Sequence, residues 1–398
     1  MTDWSTPRGA PYAVRRHETL RERALDRESP LRRLDWVLGL AVAGLVTLGA
    51  LLVWSATKPQ NVAAGLDPNA YLKKDLLNVA IALFLGGIAA LVDYRTIRAY
   101  TPVVYLASLA GLVAVLVHGI GVTVNGSHSW IKLFAGFEVQ PSEFAKIALI
   151  IVAAMLLGEK RDGADSPDQR DVWLTLAFAC VPILLILKQP DVGTVMVIGF
   201  VIFGVIAISG VSARWIIGMI AVALIGAIVI MHLHLLKQYQ IDRFTSFTNP
   251  HADTQGSGYN TNQARIAIGS GGWLGKGLFH GAQTNGQFVP EQETDFVFTV
   301  AGEELGLAGS GLLVLLVGVV LWRGLSIAAR AEDAYGTLLA VGVVCWFGFQ
   351  AFENIGMTVG IMPVTGLPLP FVSYGGSSMF ASMIAVGLLQ NVHMRSRT

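Results

Sequence analysis

Ten apolar stretches, each near the roughly 20 residues needed to cross a bilayer, recur along this 398-residue chain. They run from about Trp36 to Trp54, Leu76 to Val92, Pro102 to Ile120, Ser142 to Gly158, Trp173 to Leu187, Asp191 to Gly210, Ala213 to Leu236, Phe296 to Trp322, Tyr335 to Met357, and Ser377 to Val392. A segment inside hydrocarbon has to satisfy its own backbone hydrogen bonds, so spans of this length are expected as helices. The expected class is therefore all-α, a polytopic integral membrane protein with ten transmembrane helices. Charged residues make up 14% of the chain, against about 25% in soluble proteins. The 44 glycines follow no triplet period, which excludes collagen and suits closely packed membrane helices. A net charge of +1 argues against a nucleic-acid partner. Cys180 and Cys345 both lie inside apolar runs, so neither a disulfide framework nor a cysteine metal site is expected.

Residues 1–35 are arginine-rich without an apolar face and read as a flexible cytoplasmic tail. The first apolar run follows a long charged stretch and has spanning length, so it is expected to remain as an anchor rather than be cleaved. Lys and Arg near span ends (Arg95, Arg98, Lys160, Arg161, Arg170, Arg214, Arg323, Arg330, Arg395 and Arg397) all fall on one side, the cytoplasm by the positive-inside rule. Lys58, Lys73 and Lys74 are a mild exception. Both termini, including 393–398, are then cytoplasmic, and 36–392 forms the membrane domain. The outer face receives three unusual segments: 121–141, the large extracytoplasmic loop 236–295 between the seventh and eighth spans, and 360–376. Long loops rich in glycine, aromatic and polar residues commonly carry binding or catalysis.

Charge inside a span is costly, so Glu143 and Lys146, three apart in Gln140-Pro141-Ser142-Glu143-Phe144-Ala145-Lys146, read as an internal ion pair. The pair is either a structural clip or a binder of phosphate through Lys146. Asp191 in Gln189-Pro190-Asp191-Val192-Gly193-Thr194 suits a helix cap. In the large loop, Arg243, Arg265 and Lys276 are cations for an anionic ligand, while Glu291, Glu293 and Asp295 supply carboxylates at the entrance to the eighth span. Both halves of an acid/base site are present. The glycine cluster before Lys276 fails as a Walker A loop, because Ser270 stands where glycine is needed and Gly277 follows the lysine; its glycines read as turn and close-approach positions. His232 and His234 sit two apart and cannot ligate a metal as a helical pair. Glu303 and Glu304 read as structural hydrogen-bonding groups. Pro363, Pro368 and Pro370 forbid regular helix, giving a re-entrant loop that must be buried in protein or line a cavity, and Ser377 is a candidate cap for the tenth span.

Together these segments, with Gly256-Ser257-Gly258-Tyr259, Ile268-Gly269-Ser270-Gly271-Gly272, Thr294-Asp295-Phe296, Glu303-Glu304-Leu305-Gly306 and Ser373-Tyr374-Gly375-Gly376-Ser377-Ser378, closely resemble the RodA/FtsW family, the SEDS peptidoglycan glycosyltransferases. The resemblance runs from the first span to the last. It implies the SEDS fold, lipid II as substrate at the outer face of the bacterial cytoplasmic membrane, and a class B penicillin-binding protein as crosslinking partner. It also implies that Asp295 is the catalytic acid/base and that Glu143 and Lys146 match the family's polar pair. Many relatives place an arginine before Trp130; here His128 and Ser129 precede it, so Lys132, Arg243 or Lys276 must take over contact with the substrate diphosphate. The run from Asn354 to Gly366 resembles the elongation branch more than the division branch.

The expected reaction is an inverting glycosyl transfer with undecaprenyl diphosphate as leaving group. Asp295 is the general base, and cations, with a divalent ion as candidate helper and no cofactor assigned, stabilise the leaving charge. A lipid-linked precursor flippase and a noncatalytic scaffold for the crosslinking enzyme are the alternatives.

Overall fold

The computed structural model describes residues 33–117, 121–124, 127–132, 138–159, 166–232 and 257–396. The chain divides into two units, Met1–Leu34 and Asp35–Thr398; the expected tail lies outside the described residues as far as residue 32. The second unit is helical: α1 (Trp36–Ala63), α2 (Ala70–Leu91), α3 (Tyr94–Ala99), α4 (Thr101–Leu116), α5 (Pro141–Gly158), α6 (Gln169–Lys188), α7 (Val192–Ile208), α8 (Ala213–His232), α9 (Ser257–Gly271), α10 (Ala282–Asn285), α11 (Val297–Glu304), α12 (Gly306–Arg330), α13 (Ala334–Val359) and α14 (Gly376–Arg395).

Over the described residues, each of the ten apolar stretches coincides with helix. Among the described residues six helices, α1, α2, α5, α6, α12 and α13, are long and apolar enough to cross a membrane, while α4, α7 and the first part of α8 are shorter apolar helices. The spanning windows of α5 and α13 are 78% and 67% buried, against 28–39% in the other four. These two helices form the centre of the bundle, and the rest turn apolar side chains such as Leu40, Phe84 and Leu315 outward, as a lipid solvent permits.

Three features depart from the expected pattern. The first outer segment adds strand to a class expected as all-α: β1 (Gly121–Val124), β2 (Ser127–Lys132) and β3 (Glu138–Val139) form an antiparallel sheet in the order β1-β2-β3. Val122, Val124, Trp130 and Ile131 are β-prone residues, but strands this short give little periodic signal. The eighth span is two helices, because Gly306 adopts φ 65° at the junction of α11 and α12. Finally, Ser377 is no cap. It lies inside the first turn of α14, where its hydroxyl accepts from the Gln140 backbone at 2.9 Å and donates to Glu138 O at 3.1 Å. The side chain therefore fastens β3 to α14 instead of satisfying its own helix.

Glycine sets the close contact between α2 and α14. A Cβ on Gly86 of α2 would stand 2.7 Å from Met383 O of α14, and one on Gly387 would strike the Gly86 backbone. Asn391 secures the same seam by donating to Ala89 O and Ala90 O at 2.8 and 2.9 Å. Nearby, the Asp35 carboxylate pairs with Arg323 at 2.6 Å, and its backbone exchanges two hydrogen bonds with Gln390. Gly387→Val should overpack this seam and cost about 1–3 kcal/mol, read as a lower unfolding temperature of the purified protein in detergent.

Candidate active site

The site begins at the start of α5, where Pro141 occupies the first turn and Glu143 places a carboxylate at the positive end of the helix. Lys146 follows one turn later on the same face, and its Nζ reaches Glu143 Oε1 at 2.7 Å with both side chains buried. The expected internal pair is therefore present. Nζ also donates to Gln350 Oε1 of α13 at 3.0 Å, and it lies 4.6 Å from the Trp346 ring centroid. Trp346 Nε1 donates to the same Gln350 oxygen at 2.6 Å.

Gln350 turns its amide nitrogen the other way, to Pro368 O at 2.7 Å. One helical turn further along α13, Asn354 Nδ2 donates to Leu367 O at 2.7 Å and to Asp295 O at 2.8 Å. Both partners of that nitrogen are carbonyl acceptors, which fixes the orientation of the amide. Thr365 adds a hydroxyl bond to Glu353 Oε1. Two carbonyls of the three-proline segment, Leu367 O and Pro368 O, are thus satisfied by α13, as a re-entrant loop requires.

Asp295 is partly exposed at the end of the large loop. Its backbone N–H and that of Phe296 both donate to Glu291 O, at 3.0 and 3.1 Å, closing a turn in which Glu291 holds φ 52°. Gly366 faces it with φ 80°, and a Cβ there would come within 3.3 Å of Asp295 Oδ2. Tyr374 N donates to Glu293 O at 2.9 Å, so the last loop grips the acidic turn at both ends. Burial, reinforced by the charge of Glu291, pushes the Glu293 carboxyl above its ordinary range.

The expected cations have separate surroundings. Lys276 reaches Glu303 Oε1 at 2.8 Å, with its own side chain 31% exposed. Glu303 also accepts from Gln283 N, Thr284 N and Thr284 Oγ1 at 2.8–2.9 Å, which makes it the anchor of the 276–285 segment. Glu304 accepts from Ser55 of α1 at 2.7 Å. The structural reading of both glutamates therefore holds. The neighbouring glycines are close-approach positions as expected: Gly275 has φ 76°, and a Cβ on it would strike the Glu304 backbone. Lys132 is exposed and 4.0 Å from Glu138. Arg243 and His234 lie outside the described residues. Asp191 caps α7 by accepting from Thr194 N at 3.0 Å, and also receives Gln140 Nε2 at 3.1 Å. His128 meets Thr123 Oγ1 through Nδ1 at 3.0 Å.

Sequence reasoning gave no role to Gln350, Glu353 or Asn354. Polar side chains spaced three and four apart in an otherwise apolar helix were the available signal, since they mark one polar stripe. Among the described residues no group of three or more His, Cys, Asp or Glu side chains is arranged to hold a metal.

A family model described as a cell cycle protein, FtsW/RodA/SpoVE, matches residues 35–398. The chain is 38% identical to stage V sporulation protein E of Bacillus subtilis, covering 91% of this chain and 98% of that protein. It is 36% identical to the peptidoglycan glycosyltransferase MrdB of Escherichia coli, covering 90% and 93%. Among solved structures it matches a chain described under "Structural coordination of polymerization and crosslinking by a peptidoglycan synthase complex", with a TM-score of 0.75, 30% identity and coverage of 90% and 97%. Thermus thermophilus rod shape determining protein RodA matches with a TM-score of 0.66, 28% identity and coverage of 92% and 98%.

Removing one partner of the buried pair leaves the other charge uncompensated. Lys146→Met should cost about 3–5 kcal/mol of stability, whereas Glu143→Leu combined with Lys146→Met should recover most of it. Thermal melts of the two variants and wild type in one detergent provide the comparison.

Proposed function

From its membership of the FtsW/RodA/SpoVE family of peptidoglycan glycosyltransferases, to which the chain belongs, we propose that this protein polymerises lipid II into glycan strands during cell elongation and shape maintenance. It works at the extracytoplasmic face of the bacterial cytoplasmic membrane, with both termini in the cytoplasm and ten spans. A class B penicillin-binding protein is its crosslinking partner, a reading supported by the likeness to a chain from a synthase complex that couples polymerisation to crosslinking.

The observation that carries the mechanism is the seating of Asp295. Its backbone is held by Asn354 and Glu291, while its carboxylate faces Gly366 at a position partly open to solvent. Asp295 accepts the proton of the acceptor sugar's 4-hydroxyl as that oxygen bonds to the donor's anomeric carbon. The bond from that carbon to undecaprenyl diphosphate breaks, its electron pair leaves with the diphosphate, and the configuration inverts. Fixing the base on two backbone hydrogen bonds lowers the orientational cost of the encounter.

Charge accumulates on the departing diphosphate, and cations placed beforehand stabilise it. Lys276, Lys132 and Arg243 supply that charge from the outer surface. Lys146 and Glu143 act from below, where the pair is fixed by Gln350 to the same loop that faces Asp295.

Asp295→Asn preserves shape and removes the base. In polymerisation from lipid II by the purified protein with its crosslinking partner, activity should fall at least about 100-fold, while complex formation stays intact. Full activity in Asp295→Asn would sink the base assignment. An inactive wild type beside an active control enzyme would favour the scaffold or flippase.

A further inference from the structure

Asp75 lies in the second turn of α2 and is 4% exposed, yet among the described residues its carboxylate makes no hydrogen bond or ion pair. One turn along the same face, Asn78 is 2% exposed and its Oδ1 has no hydrogen-bond partner. Two such groups side by side are costly unless something polar completes them. They are not packed away from the active site. A Cβ on Gly376 would stand 3.3 Å from Asn78 Oδ1, so Asn78 is aimed at the beginning of α14. Two residues earlier, Tyr374 tilts its ring against Tyr71 of α2, with centroids 5.1 Å apart at 59°. Its backbone is bonded to Glu293, in the turn that bears Asp295.

A carboxylate, a primary amide and two partly exposed aromatic rings form a set suited to a polyhydroxylated ring. The acid accepts from vicinal hydroxyls, the amide both donates and accepts, and aromatic faces cover the apolar side of a sugar. Burial, followed by the fields of Tyr71, Asp75, Glu138 and Glu293, raises the Tyr374 phenol above its ordinary range, so its hydroxyl keeps its proton and remains a donor. We propose that Asp75 and Asn78, with Tyr71 and Tyr374, form a hydroxyl-binding subsite for the sugar headgroup of the lipid-linked substrate. This rests on the glycosyltransferase reading given above and assigns the sugar to the α2 side of the acidic turn.

The test is binding without turnover, using the full-length protein in nanodiscs and three probes: undecaprenyl diphosphate, the same lipid carrying the disaccharide without its stem peptide, and lipid II. Asp75→Asn keeps the shape and removes one buried charge. Its affinity for both sugar-bearing lipids should fall about tenfold, affinity for undecaprenyl diphosphate should not change, and the unfolding temperature should hold or rise. Unchanged affinity for all three probes overturns the subsite, as does equal loss on all three or loss confined to the peptide-bearing lipid. A fall in unfolding temperature matching the loss of binding also overturns it, since that marks a structural carboxylate. Asn78→Ala, which removes no charge, should weaken the same two probes. A wild-type protein that binds the sugar lipids selectively but fails to polymerise lipid II would sink the glycosyltransferase reading and leave the subsite standing.

Discussion

A proline-rich segment can lie within a membrane protein only if its backbone carbonyls find donors that are not water. In this molecule the donors are two side-chain amides on one face of α13. Gln350 takes Pro368 O, Asn354 takes Leu367 O, and the same two side chains also engage Lys146 and Asp295. The buried ion pair, the last loop and the acidic turn are therefore consequences of one polar stripe. An apolar substitution in that stripe would leave carbonyls without partners in a low-dielectric interior, where each lost hydrogen bond carries its full desolvation cost.

A second organising group is Glu303. Its oxygens take the donors of Lys276, Gln283 and Thr284, so one carboxylate ties together three points of the 276–285 segment. The glycines around it allow backbone to approach backbone, and that approach makes the hydrogen bonds from Lys276 N to Glu303 O and from Gly277 N to Glu304 O, at 3.0 and 2.9 Å. Carboxylate and glycine act together here, one as acceptor and the other as clearance.

Much of this was legible from residue pattern. The apolar stretches located the helices, the three-residue spacing of Glu143 and Lys146 located the ion pair, and three prolines identified the last loop as irregular. The small sheet at 121–139 was not legible, because strands of two to six residues leave almost no periodicity. Nor was the division of the eighth stretch: Glu303 and Glu304 interrupt its apolar run, but the break itself depends on the backbone angle of Gly306. Ser377 misled for a related reason: a serine near a helix start resembles a cap until the strand beside it is placed. The roles of Gln350 and Asn354 depend on contacts between segments far apart in sequence, which no local pattern encodes.

The break at Gly306 makes α11 a separate piece of eight residues, about 12 Å long at helical rise. Asp295 sits just before one end of this piece, and Glu303 lies at the other. The rod functions as a ruler. The spacing between the acidic turn at Asp295 and the anchor of the 276–285 segment is set by peptide geometry, which is stiff, rather than by rotamers, which are not. Tilting either end carries the other with it, so a lesion at the anchor is felt at the acid as a misaligned angle even when every atom around Asp295 is intact.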